Sequence, residues 1–312
     1  MTTPTAGVRQ PCLLCGSHDY QFVKQFADGV VVGECDACGL LYTPIRHPEP
    51  ESLLFGANLD TLRVLHRPIV AGTHRHYRAR NFEQYLEIIE PRARGRRLLD
   101  VGCAQGFFLA TARRRGWEAM GIEPSRPMAE FATRELGLDV VHGRLDQVDL
   151  GARQWDVITF TDSLEYFAEP LRDIAKVLRH LAPGGLIFAK VPNGEYFRLR
   201  HSFEKLFGRP GLADESFSPS RRVAHYSTRT LREVVSKVGG LETLDIGAAL
   251  PIDSPTWKRS TGLDLEIEPT WRSAGIVGRL VRRILHAGAR AEMAVTRRTR
   301  LSPSLYVLAG LK

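Results

Sequence analysis

From residue 97 onward, short apolar runs alternate with helical patterns. Leu98-Leu99 leads into Asp100-Val101-Gly102-Cys103-Ala104-Gln105-Gly106, after which Phe107-Phe108-Leu109-Ala110 resumes the apolar pattern. A short run ending in an acid and small residues predicts a strand, a tight turn and a helix start. Ala119–Ile122 predicts a second strand closing on Glu123, Val140–His142 a third, and Trp155–Asp162 a fourth. Leu171, Ile174, Ala175, Leu178 and Leu181 recur at helical spacing and predict a helix over 171–181. Ala182-Pro183-Gly184-Gly185 predicts a turn before a strand over 186–192. Strands over 241–246 and 304–309 follow, with a helix from Ser227 to Gly239-Gly240 before the first of them. Strands alternating with helices predict an α/β fold.

Two stretches break that rhythm. Tyr77, Phe82, Tyr85, Leu86 and Ile89 share a helical face, so residues 49–95 read as a helical linker or cap. Residues 193–226, rich in glycine, proline and aromatics, read as a loop-rich insertion over the strand C-terminal ends. Open α/β sheets bind ligands there. A second insertion spans 250–303.

The loop after the first strand narrows the choice of ligand. A dinucleotide site wants G-x-G-x-x-G, but Phe107 stands where the third glycine belongs and opposes pyrophosphate approach. No phosphate-loop G-x-x-x-x-G-K-[ST] surrounds the turn. Glu123, one strand later, is placed to accept hydrogen bonds from ribose hydroxyls. An adenosine-type cofactor without phosphates fits this combination.

The N-terminus carries a different signal. Cys12-x2-Cys15 and Cys35-x2-Cys38, nineteen residues apart, match a four-cysteine zinc site with no open position, hence structural Zn2+. Two disulfides in a secreted chain are the competing reading. No signal peptide precedes the quartet, which makes the expected location cytoplasmic. Cys103 reads as a small filler in the cofactor loop.

With 312 residues and 43% hydrophobic content, the chain can bury a large core, and no run reaches transmembrane length. The net charge of +8 is concentrated late: Trp271 to Lys312 holds nine basic residues and one acid, Glu292. Within 274–290, an apolar stripe of Ile276, Val277, Leu280, Val281, Ile284 and Leu285 is flanked by Arg279, Arg282 and Arg283. Such a helix packs on its own domain with a solvated basic face, or lies on an anionic membrane. No RNA-binding module of recognised type appears, so nucleic acid is not an expected partner.

The ordered motifs over residues 80–312 resemble class I S-adenosylmethionine-dependent methyltransferases. Their first motif reads acid-x-Gly-x-Gly-x-Gly, with Ala104 here in the middle position. Their later region reads Leu-Glu-His and Pro-Gly-Gly, with Tyr166 here in place of the histidine. With the cysteine quartet, the chain resembles zinc-ribbon methyltransferases acting on sugars. The resemblance implies a Rossmann-like seven-stranded sheet over 96–312 with helices on both faces, its last strand antiparallel between the fifth and sixth. A small zinc ribbon over 1–48 precedes it. It implies S-adenosylmethionine at Asp100, Gly102, Ala104, Gly106 and Glu123, with Leu145 and Asp146 toward adenine and Asp162 lining the cleft. It implies methyl transfer to a hydroxyl or activated carbon of a small-molecule acceptor, with His225 as base and Tyr166, Glu165 and His201 as lesser candidates. His225 as a mere brace of the lid, RNA methylation and cofactor binding without turnover remain the competing readings.

Overall fold

The computed structural model describes residues 7–26, 29–46, 58–73, 76, 78–207, 222–249, 287–288, 291–292, 294–295 and 300–312. The proposed basic helix over 274–290 lies outside them apart from Ala287 and Gly288.

The N-terminal segment forms β1 (Val8–Arg9), β2 (Tyr20–Gln25), β3 (Val31–Cys35), β4 (Leu41–Tyr42) and β5 (Ile45–Arg46). Two cap helices follow, α1 (Leu59–Val70) and α2 (Ala79–Ile89). The core then alternates β6 (Arg97–Val101), α3 (Phe107–Arg114), β7 (Glu118–Glu123), α4 (Arg126–Arg134), β8 (Asp139–His142) and β9 (Trp155–Thr161). A short helical turn at Leu164–Tyr166 leads to α5 (Pro170–Leu178) and β10 (Leu181–Pro192). The remainder is α6 (Gly194–Phe207), β11 (Ala224–His225), α7 (Thr228–Val238), β12 (Leu241–Ala248) and β13 (Ser304–Leu311).

Seven strands form one sheet in the order β12-β13-β10-β9-β6-β7-β8. β6, β7, β8, β9 and β10 run parallel, and β13 lies antiparallel between β10 and β12. That is the expected seven-stranded arrangement. Successive residues along its strands feed opposite faces, as period-two geometry requires. Leu98, Val157 and Phe188 join Phe82, Phe108 and Phe131 under α1–α4. Leu99, Ile158 and Ile187 join Ile174, Val177 and Val234 under α5 and α7. Both faces are therefore covered, which suits parallel strands.

Two elements differ from expectation. The helix over 171–181 stops at Leu178, because Leu181 already pairs with Trp155 as the first residue of β10. The Pro183-Gly184-Gly185 turn becomes a register shift inside that strand. The insertion after Pro192 begins with a helix rather than a loop. Phe197 anchors α6, fully buried against Phe26, Val32 and Leu41 of the N-terminal segment, and stacks on His201 one turn later.

The N-terminal ribbon is joined to the core by both sheet and packing. β11-β4-β3-β2 form one four-stranded sheet, so a strand from the insertion completes the ribbon. Cys12, Leu14, Cys38, Leu40 and Tyr42 share a buried cluster with Leu164, Val191, Ala224, Tyr226 and Leu231.

Candidate functional site

The loop from β6 to α3 lies at the C-terminal edge of the parallel sheet. Three of its residues take left-handed backbone: Gly102 at φ 79°, Ala104 at 48° and Gly106 at 78°. Gly102 also has no room for a side chain, since a Cβ there would sit 2.6 Å from Ser163 Cβ. The loop therefore turns tightly against Ser163, and α3 begins directly beyond it. Ala104 keeps the left-handed conformation at a steric cost of roughly 1–2 kcal/mol that glycine would avoid.

Glu123 ends β7 beside that loop and is 5% exposed. Its Oε2 accepts from the Ala104 backbone N–H and its Oε1 from the Ser125 N–H, both at 2.8 Å. Two amides thus fix the carboxylate while each oxygen retains further acceptor capacity. Burial raises its pKa, and the two amide bonds oppose that rise. Asp100 is deeper, 1% exposed, and accepts from Thr159 Oγ1 at 2.7 Å. Burial pushes it up to about 7. Leu145 is buried in the core, whereas Asp146 is largely exposed and pairs with Arg144 at 3.4 Å. Cys103 fills the space left by Gly121, and burial holds its thiol well above the ordinary range, which suits a filler rather than a nucleophile.

Across the edge from the loop stands a charged cluster. Asp162 ends β9 at φ 55° and pairs with both Lys190 and Arg78. Those two cations hold its carboxyl below the usual range against burial. Glu165, next on the helical turn, is fully buried, and Arg222 Nε lies 3.8 Å from its carboxylate. Burial and the neighbouring Asp162 charge push Glu165 up to about 7. Tyr166 keeps 45% of its surface exposed, and burial of the rest with the Glu165 charge raises its pKa while Arg222 lowers it. The cap closes over the loop on aromatic rings: His76 stacks on Phe107 at 4.2 Å, and His66 meets Phe107 edge-on at 4.9 Å.

His225 lies elsewhere. It pairs with Leu41 in the ribbon sheet, is 1% exposed, and stacks on Phe197 at 5.6 Å. Burial, helped by Arg222, pushes its pKa down to about 3. A ring so enclosed and so weakly basic favours the brace reading over the role of base. His201, half-buried on α6, stacks on the same Phe197. A cavity of about 600 Å3 lined by His225, Arg198, Arg229 and Arg232 opens at the ribbon–core seam, away from Gly102, Glu123 and Asp162.

Sequence reasoning missed Arg78, Lys190, Arg222 and the paired histidines of the cap. Lys190 alone left a signal, a single cation inside the apolar run Leu186–Val191 that must find an acid when buried.

Residues 73–242 match the family model described as a methyltransferase domain. The chain belongs to that family. Among curated relatives, the ubiquinone biosynthesis O-methyltransferase of Methylococcus capsulatus is 32% identical over 105 residues, covering 32% of this chain and 44% of the relative. Its counterpart in Hahella chejuensis is 33% identical over 116 residues, covering 35% and 49%. The chain thus spans less than half the length of these relatives. Among solved structures, the plantazolicin methyltransferase BpumL in complex with SAH has a TM-score of 0.48 at 13% identity, covering 85% of this chain and 91% of that one. A methyltransferase from Mesorhizobium loti has a TM-score of 0.46 at 16% identity, covering 76% and 98%.

The ribbon cysteines are all free thiols, and their sulfurs lie within 4.8 Å of one another. Cys12 Sγ and Cys38 Sγ are 3.5 Å apart, Cys15 Sγ and Cys35 Sγ 3.4 Å. A tetrahedron with Zn–S bonds of about 2.3 Å has sulfur–sulfur edges of about 3.8 Å. The quartet fits that ion with little movement. Among the described residues no helix is long and apolar enough to cross a membrane.

Proposed function

We propose that this methyltransferase acts on a hydroxyl of a small-molecule acceptor, a sugar or other secondary metabolite. The carrying observation is the cluster at the ends of β9 and β10, where exposed Tyr166 stands beside buried Glu165. The curated relatives are ubiquinone biosynthesis O-methyltransferases, which supports the choice of a hydroxyl over an activated carbon.

When bound, S-adenosylmethionine supplies an electrophilic methyl carbon on a sulfonium. Glu123 would hold its ribose, the Gly102–Gly106 loop its backbone-facing side, and Leu145 the adenine. Asp100, on β6 just before the loop, is tied to the neighbouring strand through Thr159. The rings of His66, His76 and Phe82 exclude water from above Phe107, and alignment without water is the main demand of such a displacement. A hydroxyl acceptor must also lose a proton near the transition state. Glu165, as buried as His225, takes the role of base in this reading because it adjoins exposed Tyr166 at the end of β9 rather than lying in the ribbon sheet, and burial pushes its pKa up to about 7. Tyr166 orients the acceptor. Zn2+ on Cys12, Cys15, Cys35 and Cys38 is structural, since four protein ligands leave no open position.

The test is a mass-spectrometric screen of purified protein with S-adenosylmethionine and panels of phenols, sugar nucleotides and RNA. A gain of one methylene on a hydroxyl of a small molecule is the expected result. Methylated RNA, with salt-sensitive binding, would replace this reading.

A further inference from the structure

The ribbon reaches the methyl-transfer site through four residues. Thr43, just after β4, donates its backbone N–H to Val223 O and its Oγ1 to Arg222 O, each at 3.1 Å. Ala224 and His225 continue the pairing, opposite Tyr42 and Leu41. On the other side Val223 donates its own N–H to Glu165 O at 2.8 Å. Beyond β11, Gly194 donates to Tyr226 O at 2.7 Å. The approach there is close: a Cβ on Gly194 would lie 2.8 Å from His225 O. Residues 222–226 are therefore clamped between the ribbon, the start of α6 and the Leu164–Tyr166 turn.

That clamp delivers one side chain to the charged cluster. Neither Glu165 carboxylate oxygen accepts a hydrogen bond among the described residues, so Arg222 at 3.8 Å is its close charge partner. The charge of the same guanidinium acts on the Tyr166 hydroxyl, drawing its pKa down against burial and the Glu165 charge. An arginine backbone pinned by the ribbon thus reaches the two residues that line the acceptor side. A strand held by paired backbone groups is far better defined than a loop, and a displacement of about 1 Å at a reacting centre costs roughly a hundred-fold in rate.

We propose that Arg222 is a positioning residue of this methyltransferase: it orients Tyr166 and Glu165, and the zinc ribbon holds it there by sharing its sheet with residues 224–225. The ribbon is then a wall of the acceptor site rather than an appendage. This rests on the acceptor lying against Tyr166, as argued above.

The test uses the full-length, zinc-loaded chain with 3-fluorotyrosine at position 166. Fluorine NMR reports the ring's environment and the ionisation of its hydroxyl. Glu165, Asp162, Lys190 and Arg222 are the charged groups around it. Arg222→Gln removes a neighbouring cation, so the Tyr166 ionisation should move up by about one pH unit. Arg222→Lys should restore part of that change, which a purely steric role would not. Thr43→Val keeps every charge but breaks the Oγ1 bond to Arg222 O. It should broaden or split the resonance, and chelating the zinc should do the same. S-adenosylhomocysteine affinity, read by calorimetry, should stay within about two-fold throughout, because none of these changes touches Glu123 or the Ala104 and Ser125 amides it accepts from.

A wild-type resonance and ionisation in Arg222→Gln would overturn the proposal. So would a wild-type spectrum in Thr43→Val, which also decides the matter should Arg222→Gln fail to fold. Failure of the unsubstituted protein to bind S-adenosylhomocysteine would strike the cofactor reading instead.

Discussion

Glu123 offers the sharpest test of the cofactor site, because its carboxylate already has two measurable bonds. Glu123→Gln is close to isosteric. Its carbonyl can still accept from one of the Ala104 and Ser125 amides, but its NH2 must face the other, donor against donor. One charge-assisted bond is lost, about 1.5–3 kcal/mol of folding stability. Removing a buried charge offsets part of that, so the lower end of the range applies. Toward ribose, a neutral amide oxygen accepts about half as strongly as a carboxylate. Loss of roughly 0.7–1.4 kcal/mol weakens binding about three- to ten-fold.

Glu123→Ala removes both amide bonds and every ribose contact. The loop then loses what orients the Ala104 amide, and affinity should fall roughly ten- to hundred-fold. The assay is calorimetric titration with S-adenosylhomocysteine, paired with urea unfolding so that folded fraction and affinity are read separately. A folded Glu123→Ala protein with wild-type affinity would refute the reasoning. Tight binding of NAD in its place would overturn the cofactor assignment.

Three further outcomes are expected. Metal analysis should find one zinc per chain, and Cys35→Ser should lose it and destabilise the ribbon; disulfides in freshly purified protein would contradict this. Glu90 is held at about 2 by hydrogen bonds from Arg115, Trp117 and Arg96, below its usual 4.5. A carboxyl depressed in the folded state contributes fully above about pH 4.5, and its contribution fades as pH falls toward 2. Glu90→Gln should therefore lower stability at neutral pH by on the order of 1 kcal/mol, after allowance for solvent screening, and show a shallower loss in acid by urea titration. His225→Phe should keep its ring on Phe197 and its turnover, while His225→Ala should lose about 2–4 kcal/mol of stability. A drop in turnover of roughly 10²–10⁴ in folded His225→Phe would restore it as the base.

The sheet was legible because each strand carries its own apolar run and each turn its own small residues. The helix cap at Ser227 was equally local: its side chain accepts from Thr230 N while Thr230 Oγ1 accepts from Ser227 N. What escaped was set by partners far along the chain. The Pro183-Gly184 pair reads as a turn in isolation, yet Trp155 recruits Leu181 and stretches the strand through it. The 194–207 segment reads as a loop because its neighbours 208–221 are rich in glycine and proline, though Glu195–Phe207 holds neither. Arg78 and Arg222 come from outside the sheet, and nothing local shows which acid each will meet. His225 is ambiguous in sequence for the opposite reason. Its sequence setting, before a helix and after an insertion, suits a cleft residue, while the ribbon strand that buries it lies more than 180 positions away.

The ribbon and the core solve one another's problem. A segment of about 40 residues cannot bury enough apolar surface to fold unaided, and metal ligation is the usual supplement. Here a metal on the cysteine quartet would be only half of the support, because Leu40 and Tyr42 are covered by the core's Ala224, Tyr226 and Leu231. The gain runs the other way too. Residues 222–226 follow a long insertion and would present unpaired backbone groups beside the active edge; β4 supplies the missing strand. Arg229 closes the exchange by donating to the Cys38 carbonyl at 2.7 Å, which ties the N-terminal turn of α7 to the second cysteine knuckle. Withdrawing the metal should therefore loosen a segment of the core as well as the ribbon. Hydrogen exchange would register this as faster exchange at Val223 and Ala224 on chelation, with β6 and β7 unchanged.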